Sequence, residues 1–386
     1  MNQNRALKKY RFPWRENNHF TLLVDGDVFY ADMLGAIEQA KTCIYLEMYL
    51  FESGVVASRF IDALMAASHR GVNIHVLLDA FGSLGLENSD RVRLQDAGIS
   101  IHFYNPLQYG RLRRNLFRDH RKLLLIDGMT AYTGGMGITD DFDRASHPHY
   151  YWHEAVIHIT GACVADWQTL FEDFWKRCTT SRIERYKSAP LPKLASPQPG
   201  LVVESRSFTH SEIIRSFVNR IRGAQSRVWL ATAYFVPSRK LLKALSRQAH
   251  SGIDVRILLP GPHSDHPWVR HMGRHFYSRL LRRGVRVYEY QPRFTHIKIL
   301  LCDQWTSIGS SNVDRWNFRW NLEANQEVDD PGFACQVQQL FETDFSSSRE
   351  ILAADWHKRP WVSRFKEWCW AKVVRLLSWL SFNRKQ

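Results

Sequence analysis

The sequence predicts an α/β protein made of two tandem α-β-α layered units, and three observations predict it. The chain repeats its own order of segments. Within each repeat, short β-rich runs alternate with helical ones. Between the repeats lies YKSAPLPKLASPQPG (186–200), where Pro among Ser and Gly reads as an exposed linker. At 386 residues the chain exceeds one typical domain. The expected division is therefore a first unit over 1–185, the linker over 186–200, a second unit over 201–356 and a tail over 357–386.

The elements recur in order. CIYLEMYLF (43–51) parallels RVWLATAYF (227–235), each a strand-forming run before a turn. SRFIDALMAASH and SRKLLKALSRQA follow as helices. RGVNIHVLLD (70–79) then matches HSGIDVRILLP (250–260), a helix end leading into an apolar strand. AGISIHFYNP (97–106) matches RGVRVYEYQP (283–292). Each copy finally reaches a strand spelling His-x-Lys-x₄-Asp: His120, Lys122 and Asp127 in HRKLLLID, and His296, Lys298 and Asp303 in HIKILLCD.

These two strands carry the chemistry. A His and a Lys two apart on a strand point to one face, which sets an imidazole beside a fixed positive charge. A small-residue turn follows each, Gly134-Gly135 in the first and Gly309-Ser310-x-Asn312 in the second. The copies differ upstream. Thirteen residues separate Pro106 from His120 and three separate Pro292 from His296. The longer loop carries Arg111, Arg113, Arg114 and Arg118, whose guanidinium groups suit phosphate or headgroup capture.

Composition narrows the partner. The balance of 52 basic and 38 acidic residues, +14, calls for an anionic partner: nucleic acid, an acidic membrane surface or a phosphorylated substrate. The six Cys are scattered without a C-x-x-C pair, as expected of free thiols in a reducing cytosol. The first twenty residues have no apolar core of a secretory signal, and no window suits a membrane span. His147, His149 and His153 lack a carboxylate or Cys at ligand spacing, so no metal is expected.

With both motifs and the repeat in view, the chain resembles the phospholipase D superfamily, and within it the bacterial cardiolipin synthases of the shorter, cardiolipin synthase B kind. The likeness is strongest in LLPGPHSDHPWVR, YEYQPRFTHIKILLCD and GSSNVDRWNFRWNLEANQEV. The fold this implies is two α-β-α sandwich units of the phospholipase D type, packed about a pseudo-twofold axis with one active site at their interface. The implied catalytic set is His120, Lys122, Asp127, His296, Lys298 and Asp303, with no cofactor and no metal. His120 is the expected nucleophile and His296 the general acid, then base. Asp127 and Asp303 end their strands and are expected to hold turns. Ser310, Asn312, Arg118 and Gly135 are the expected phosphate contacts. The resemblance also supplies an acid for each imidazole, Glu323 for His296 and Glu154 for His120. Gly137 departs from the pattern, standing where an Asn is expected, so the halves are chemically unequal.

The reaction expected is phosphatidyl transfer through a phosphohistidine, from phosphatidylglycerol to a second phospholipid (phosphatidylglycerol or phosphatidylethanolamine), giving cardiolipin. A neutral imidazole attacks phosphorus, and a second imidazole protonates the leaving oxygen. If water is the acceptor, the same site is a phospholipase D. A phosphodiesterase on nucleic acid is the rival enzyme, which +14 permits. Against it stands the tail, where Val362, Phe365, Cys369, Val373, Leu376 and Leu380 form one apolar helical face. Trp361, Trp368, Trp370 and Trp379 cluster there among basic residues, the pattern of an interfacial helix on an anionic leaflet. The location expected is peripheral, on the cytoplasmic face of a bacterial inner membrane, with no nucleic acid partner.

Overall fold

The computed structural model describes residues 10–111, 113–181, 183, 194–206, 211–315 and 317–359. The Trp-rich segment from residue 361 onward lies outside these residues, as does most of the linker. In the first half the strands are β1 (Arg15–Val24), β2 (Cys43–Met48), β3 (Asn73–Asp79), β4 (Ser100–Tyr104), β5 (Arg118–Asp119), β6 (Leu123–Ile126), β7 (Thr130–Gly134) and β8 (Ala155–Gly161). In the second they are β9 (Gln198–Ser205), β10 (Arg227–Ala231), β11 (Phe235–Val236), β12 (Asp254–Pro260), β13 (Arg286–Tyr290), β14 (Ile299–Cys302), β15 (Trp305–Gly309), β16 (Val313–Asp314), β17 (Asn321–Asp329) and β18 (Ser348–Glu350).

The halves mirror each other in one continuous sheet. Its order runs β4-β3-β2-β6-β7-β8-β1 and then β9-β17-β15-β14-β10-β12-β13-β18. β2, β3 and β4 run parallel, as do β10, β12 and β13. Each motif strand, β6 or β14, lies antiparallel to the innermost of these. A motif strand therefore starts at the edge where the parallel strands end, the usual ligand-binding edge of an α/β sheet. That is why His120 and His296 both emerge there.

The expected linker reaches less far than 200, because β9 already begins at Gln198. Pro199 cannot donate to a ladder, and it sits where the β1–β9 pairing is irregular, between Arg15↔Gly200 and Asn18↔Gln198.

The units also share a core. The first-half helix Cys163–Cys178 buries Trp167, Phe171 and Trp175 in one cluster with Leu201, Val203, Leu230 and Leu301 from the second half. Trp167 Nε1 donates to Gln326 Oε1 at 2.9 Å across the seam. Burying three large aromatic side chains contributes about 2–3 kcal/mol each, so the halves pack as one body. A second cluster, around Phe29, Phe60, Leu64, Val76 and Tyr132, belongs to the first half alone. Several Trp thus fill cores: Trp167, Trp175 and Trp305 are fully buried. Cys43, Cys163, Cys178, Cys302 and Cys335 are free thiols, with Cys335 exposed.

Candidate active site

Both motif histidines line one cavity of about 600 Å³. Its walls are largely apolar, with Leu50, Trp152, Tyr234, Val236, Trp268 and Met272 among them. His120 meets the Tyr49 ring edge-on at 4.7 Å. His296 sits among rings, 5.2 Å from Trp152, 5.7 Å from Phe294 and 5.8 Å from Phe142.

The acids are exchanged between the halves, which corrects the expected pairing. His120 Nδ1 lies 3.1 Å from Glu323 Oε2, and His296 Nδ1 lies 2.7 Å from Glu154 Oε2. The backbone explains the exchange. β5, just before the first motif, pairs in parallel with the start of β17, matching Asn321 to Arg118 and Leu322 to Asp119. The His120 N–H then donates to the Leu322 carbonyl at 3.0 Å, and Glu323 follows directly. On the other side His153 bridges Thr295 in parallel, and the His296 N–H donates to the His153 carbonyl at 2.7 Å. Glu154 follows that carbonyl. Each motif is thus stitched to the other half one residue before the acid it uses. A carboxylate on Nδ1 accepts its proton and leaves the Nε2 lone pair for the cavity.

Electrostatics follow from burial. Desolvation holds His120 below the ordinary imidazole value, against the pull of Glu323. His296 is held well below it, by burial and then by Lys298. Burial pushes Glu154 up to about 7 despite Lys298. A carboxyl near 7 beside a strongly depressed imidazole makes a pair that shares one proton around neutrality.

The lysines anchor the motifs. Lys122 Nζ donates to the His120 carbonyl at 2.6 Å and lines the cavity. Lys298 Nζ donates to the His296 carbonyl and to Glu154 Oε2, the latter at 3.3 Å. Burial drives Lys122 down to about 7 and Lys298 down as well.

The turns make the halves unequal. The Ser310 hydroxyl donates to Glu323 Oε2. In the equivalent place Gly135 leaves the space that Glu154 and Lys298 use: a Cβ there would sit 2.0 Å from Glu154 Oε2 and 2.6 Å from Lys298 Nζ. At Gly137 a Cβ would meet Leu50 side-chain atoms at 3.0 Å, so a larger residue there requires the Leu50 side chain to give way by a few tenths of an ångström.

Of the four expected phosphate contacts, Gly135 lines the cavity. Ser310 serves Glu323 instead. Asn312 is fully buried with its Oδ1 3.5 Å from Thr232 Oγ1. Arg118 is drawn inward by Asp79 at 3.3 Å and donates to the Asn105 carbonyl at 2.8 Å, so it braces the loop rather than facing substrate. Asp127 and Asp303 stand at the far ends of their strands, away from the cavity. Asp127 accepts the N–H groups of Lys41, Thr42 and Cys43, and Asp303 those of Gln225, Ser226 and Arg227. Both have φ of 54° and hold the turn, as their strand-end position suggested, rather than joining the catalytic groups.

Sequence reading missed several groups. Arg121 points to the opposite face from its two neighbours and is buried against Glu47 at 2.6 Å and Asp119 at 3.1 Å. Glu52, Asp141 and Asp265 also line the cavity, and only Asp265 fell in a segment singled out above.

The family model described as "Cardiolipin synthase, PLD-like domain" matches residues 33–175 and 217–345, once in each half. The chain is 32% identical to "Cardiolipin synthase A" of Pseudomonas putida (strain W619), over 97% of this chain and 78% of that protein. It is 29% identical to "Probable cardiolipin synthase YwiE" of Bacillus subtilis (strain 168), over 91% and 70%. Identity to "Cardiolipin synthase" of Alkalihalophilus pseudofirmus is 31%, over 97% and 74%. Among solved structures, a phosphatidylserine synthase of Haemophilus influenzae Rd KW20 aligns with TM-score 0.72 and 14% identity over 98% of this chain and 97% of that one. A polyphosphate kinase of Porphyromonas gingivalis aligns with TM-score 0.59 and 14% identity over 87% and 49%. At that identity the two structures attest the fold. The doubled match and the relatives at about 30% identity give the conclusion: the chain belongs to the cardiolipin synthase, phospholipase D-like domain family.

Proposed function

We propose that this protein is a phosphatidyltransferase that makes cardiolipin from phosphatidylglycerol and a second phospholipid through a covalent phosphatidyl-histidine. The observation that carries the reading is the exchanged pair of His–Glu couples opening into one apolar-walled cavity. His120 Nε2 forms the bond to phosphorus. The P–O bond to the first headgroup alcohol breaks, and that oxygen takes the proton shared by His296 and Glu154. Lys122 faces the non-bridging oxygens, where charge builds. In the second half-reaction His296 takes the proton of an incoming lipid hydroxyl, whose oxygen displaces His120 from phosphorus. The apolar walls favour a lipid alcohol over water as acceptor, hence transfer over hydrolysis.

An anionic phospholipid membrane is the partner this reading requires. Phe81, Leu84, Leu107 and Tyr109 are exposed on the turns after β3 and β4, and Trp268 on the helix Pro267–Arg274 that follows β12, at the same sheet edge as the motif histidines. Arg111 and Arg113 are exposed beside them. Apolar tips among guanidinium groups suit an acidic headgroup layer. Among the described residues no helix is long and apolar enough to cross a membrane, which fits peripheral attachment.

The test is incubation with labelled phosphatidylglycerol alone, with added phosphatidylethanolamine, and with DNA, followed by product analysis. Labelled cardiolipin supports the reading. Phosphatidic acid as the sole product makes the protein a hydrolase, and cleaved DNA beside untouched lipid overturns it.

A further inference from the structure

The residue before Glu154 closes a charge cluster at the seam. His153 Nδ1 lies 2.6 Å from Asp25 Oδ1, and its Nε2 lies 3.0 Å from Asp344 Oδ1. Asp25 precedes the first-half helix Gly26–Gln39, while Asp344 lies near the end of the second-half helix Pro331–Ser346. Arg293 reaches the other oxygen of Asp25, with its Nη2 3.1 Å from His153 Nδ1 and its guanidinium 4.1 Å over the Tyr151 ring. The Tyr290 ring stacks on the imidazole at 5.1 Å. A neutral imidazole has one N–H and satisfies one carboxylate. Two carboxylates on two ring nitrogens therefore ask for the imidazolium.

The same residue carries the backbone bridge to the second motif. The His153 N–H donates to the Phe294 carbonyl at 2.8 Å, and its carbonyl accepts from the His296 N–H at 2.7 Å. The equivalent carbonyl on the other side belongs to Leu322, which has no charge to clamp it. Only the His296 side is pinned in this way.

We infer that His153 is a positioning residue for the reaction: as an imidazolium held by one carboxylate from each half, it fixes the bridge that aligns Glu154 with His296. The inference rests on the proposed role of His296 as acid and base. The groups facing His153 are Asp25, Asp344, Arg293 and Tyr290, with Glu154 adjacent in the chain and Tyr151 beyond Arg293. Burial disfavours the charge, but Asp344 and Asp25 outweigh it and lift His153 to about 9. That value stands above the ordinary 6.5. The clamp and its stability are therefore fully present at and below pH 6.5 and are lost as pH rises through 9.

The test uses full-length enzyme and three variants: His153→Gln, His153→Arg and Asp344→Asn. With phosphatidylglycerol vesicles, H153Q is expected to lower kcat at least tenfold with KM within twofold, and D344N to lower kcat less. H153R keeps a permanent charge and should restore most of kcat and flatten the decline between pH 8 and 10. In substrate-free protein carrying ¹⁵N-histidine, wild-type His153 should read as doubly protonated at pH 8. H153Q should also shift the His296 ring signals while leaving those of His120 in place. A His153 ring that is neutral at pH 8, or an H153Q enzyme with unchanged kcat and unchanged His296 signals, overturns the inference. If the wild type turns over no lipid, the proposed function fails by itself, and the ring signals still decide the clamp.

Discussion

Glu323 belongs to the second half, yet its carboxylate faces the imidazole of the first half, 3.1 Å from His120 Nδ1. Glu154 answers across the seam, 2.7 Å from His296 Nδ1. Neither half holds a complete His–acid couple, so the site exists only when both halves are packed together.

This exchange fixes which double variants are non-additive. Replacing His120 or His296 with Ala should each lower kcat by about 10³-fold or more, and Glu154→Gln or Glu323→Gln by about 10²-fold. In rate cycles on phosphatidylglycerol, E323Q added to H120A should cost almost nothing further, and E154Q added to H120A should cost more. The opposite pattern would restore the within-half pairing.

Gly135 is tight for a physical reason. A methyl group there meets Glu154 Oε2 and Lys298 Nζ, so Gly135→Ala should destabilise the fold by about 1–3 kcal/mol and lower kcat in the remaining folded enzyme. Thermal unfolding and turnover measured on one preparation check both effects.

Asp127 and Asp303 should behave as structural groups. Removing either leaves without their acceptor three backbone N–H groups where the chain enters a neighbouring strand, which costs about 1–3 kcal/mol. Burial pushes Asp127 up, but the Thr42 hydroxyl and three N–H groups outweigh it, and the net value is depressed. Its stabilisation is therefore present above the ordinary carboxylate range and lost as pH falls through the lowered value. Denaturation of Asp127→Asn against pH should show a deficit at neutral pH that closes in acid, with kcat of folded enzyme within a few-fold of wild type.

Substrate phosphate should draw in protons. Burial holds Lys122 at about 7 and Glu154, beside it, at about 7. A bound phosphodiester favours the charged lysine and a protonated Glu154–His296 pair. Affinity should rise as pH falls from 8 to 6, and calorimetry in buffers of different ionisation enthalpy should register proton uptake. Zero uptake would contradict the stated charge states.

The exposed rim predicts how the enzyme meets its substrate. Leu107→Ser with Tyr109→Ser should lower partition onto phosphatidylglycerol vesicles several-fold while leaving turnover of a short-chain monomeric substrate near wild type. Removing residues 361–386 provides the parallel test for the tail.

Much of this was legible in the sequence because duplication shows itself in order and spacing. The paired His-x-Lys strands and the halves follow from patterns along the chain, and the family resemblance supplied the two acids. The assignment of acid to imidazole was not legible, since it depends on two short parallel pairings, β5 with β17 and His153 with Thr295, that no local pattern encodes. Arg118 read as a phosphate contact on a basic loop, yet Asp79, 39 residues earlier, turns it inward. His153 read only as one of three histidines without a metal-ligand pattern, because its partners Asp25 and Asp344 are brought together only by the packing of the halves.

The central claim is that His120 takes the phosphatidyl group while the His296–Glu154 pair moves the proton. Its most direct test is an alkaline quench of the His296→Ala enzyme after incubation with labelled phosphatidylglycerol, with peptide mapping of the adduct. Label on His120, absent from the His120→Ala enzyme, is the result expected. Label on His296 in the His120→Ala enzyme, with none on His120 in the reverse variant, would contradict the account.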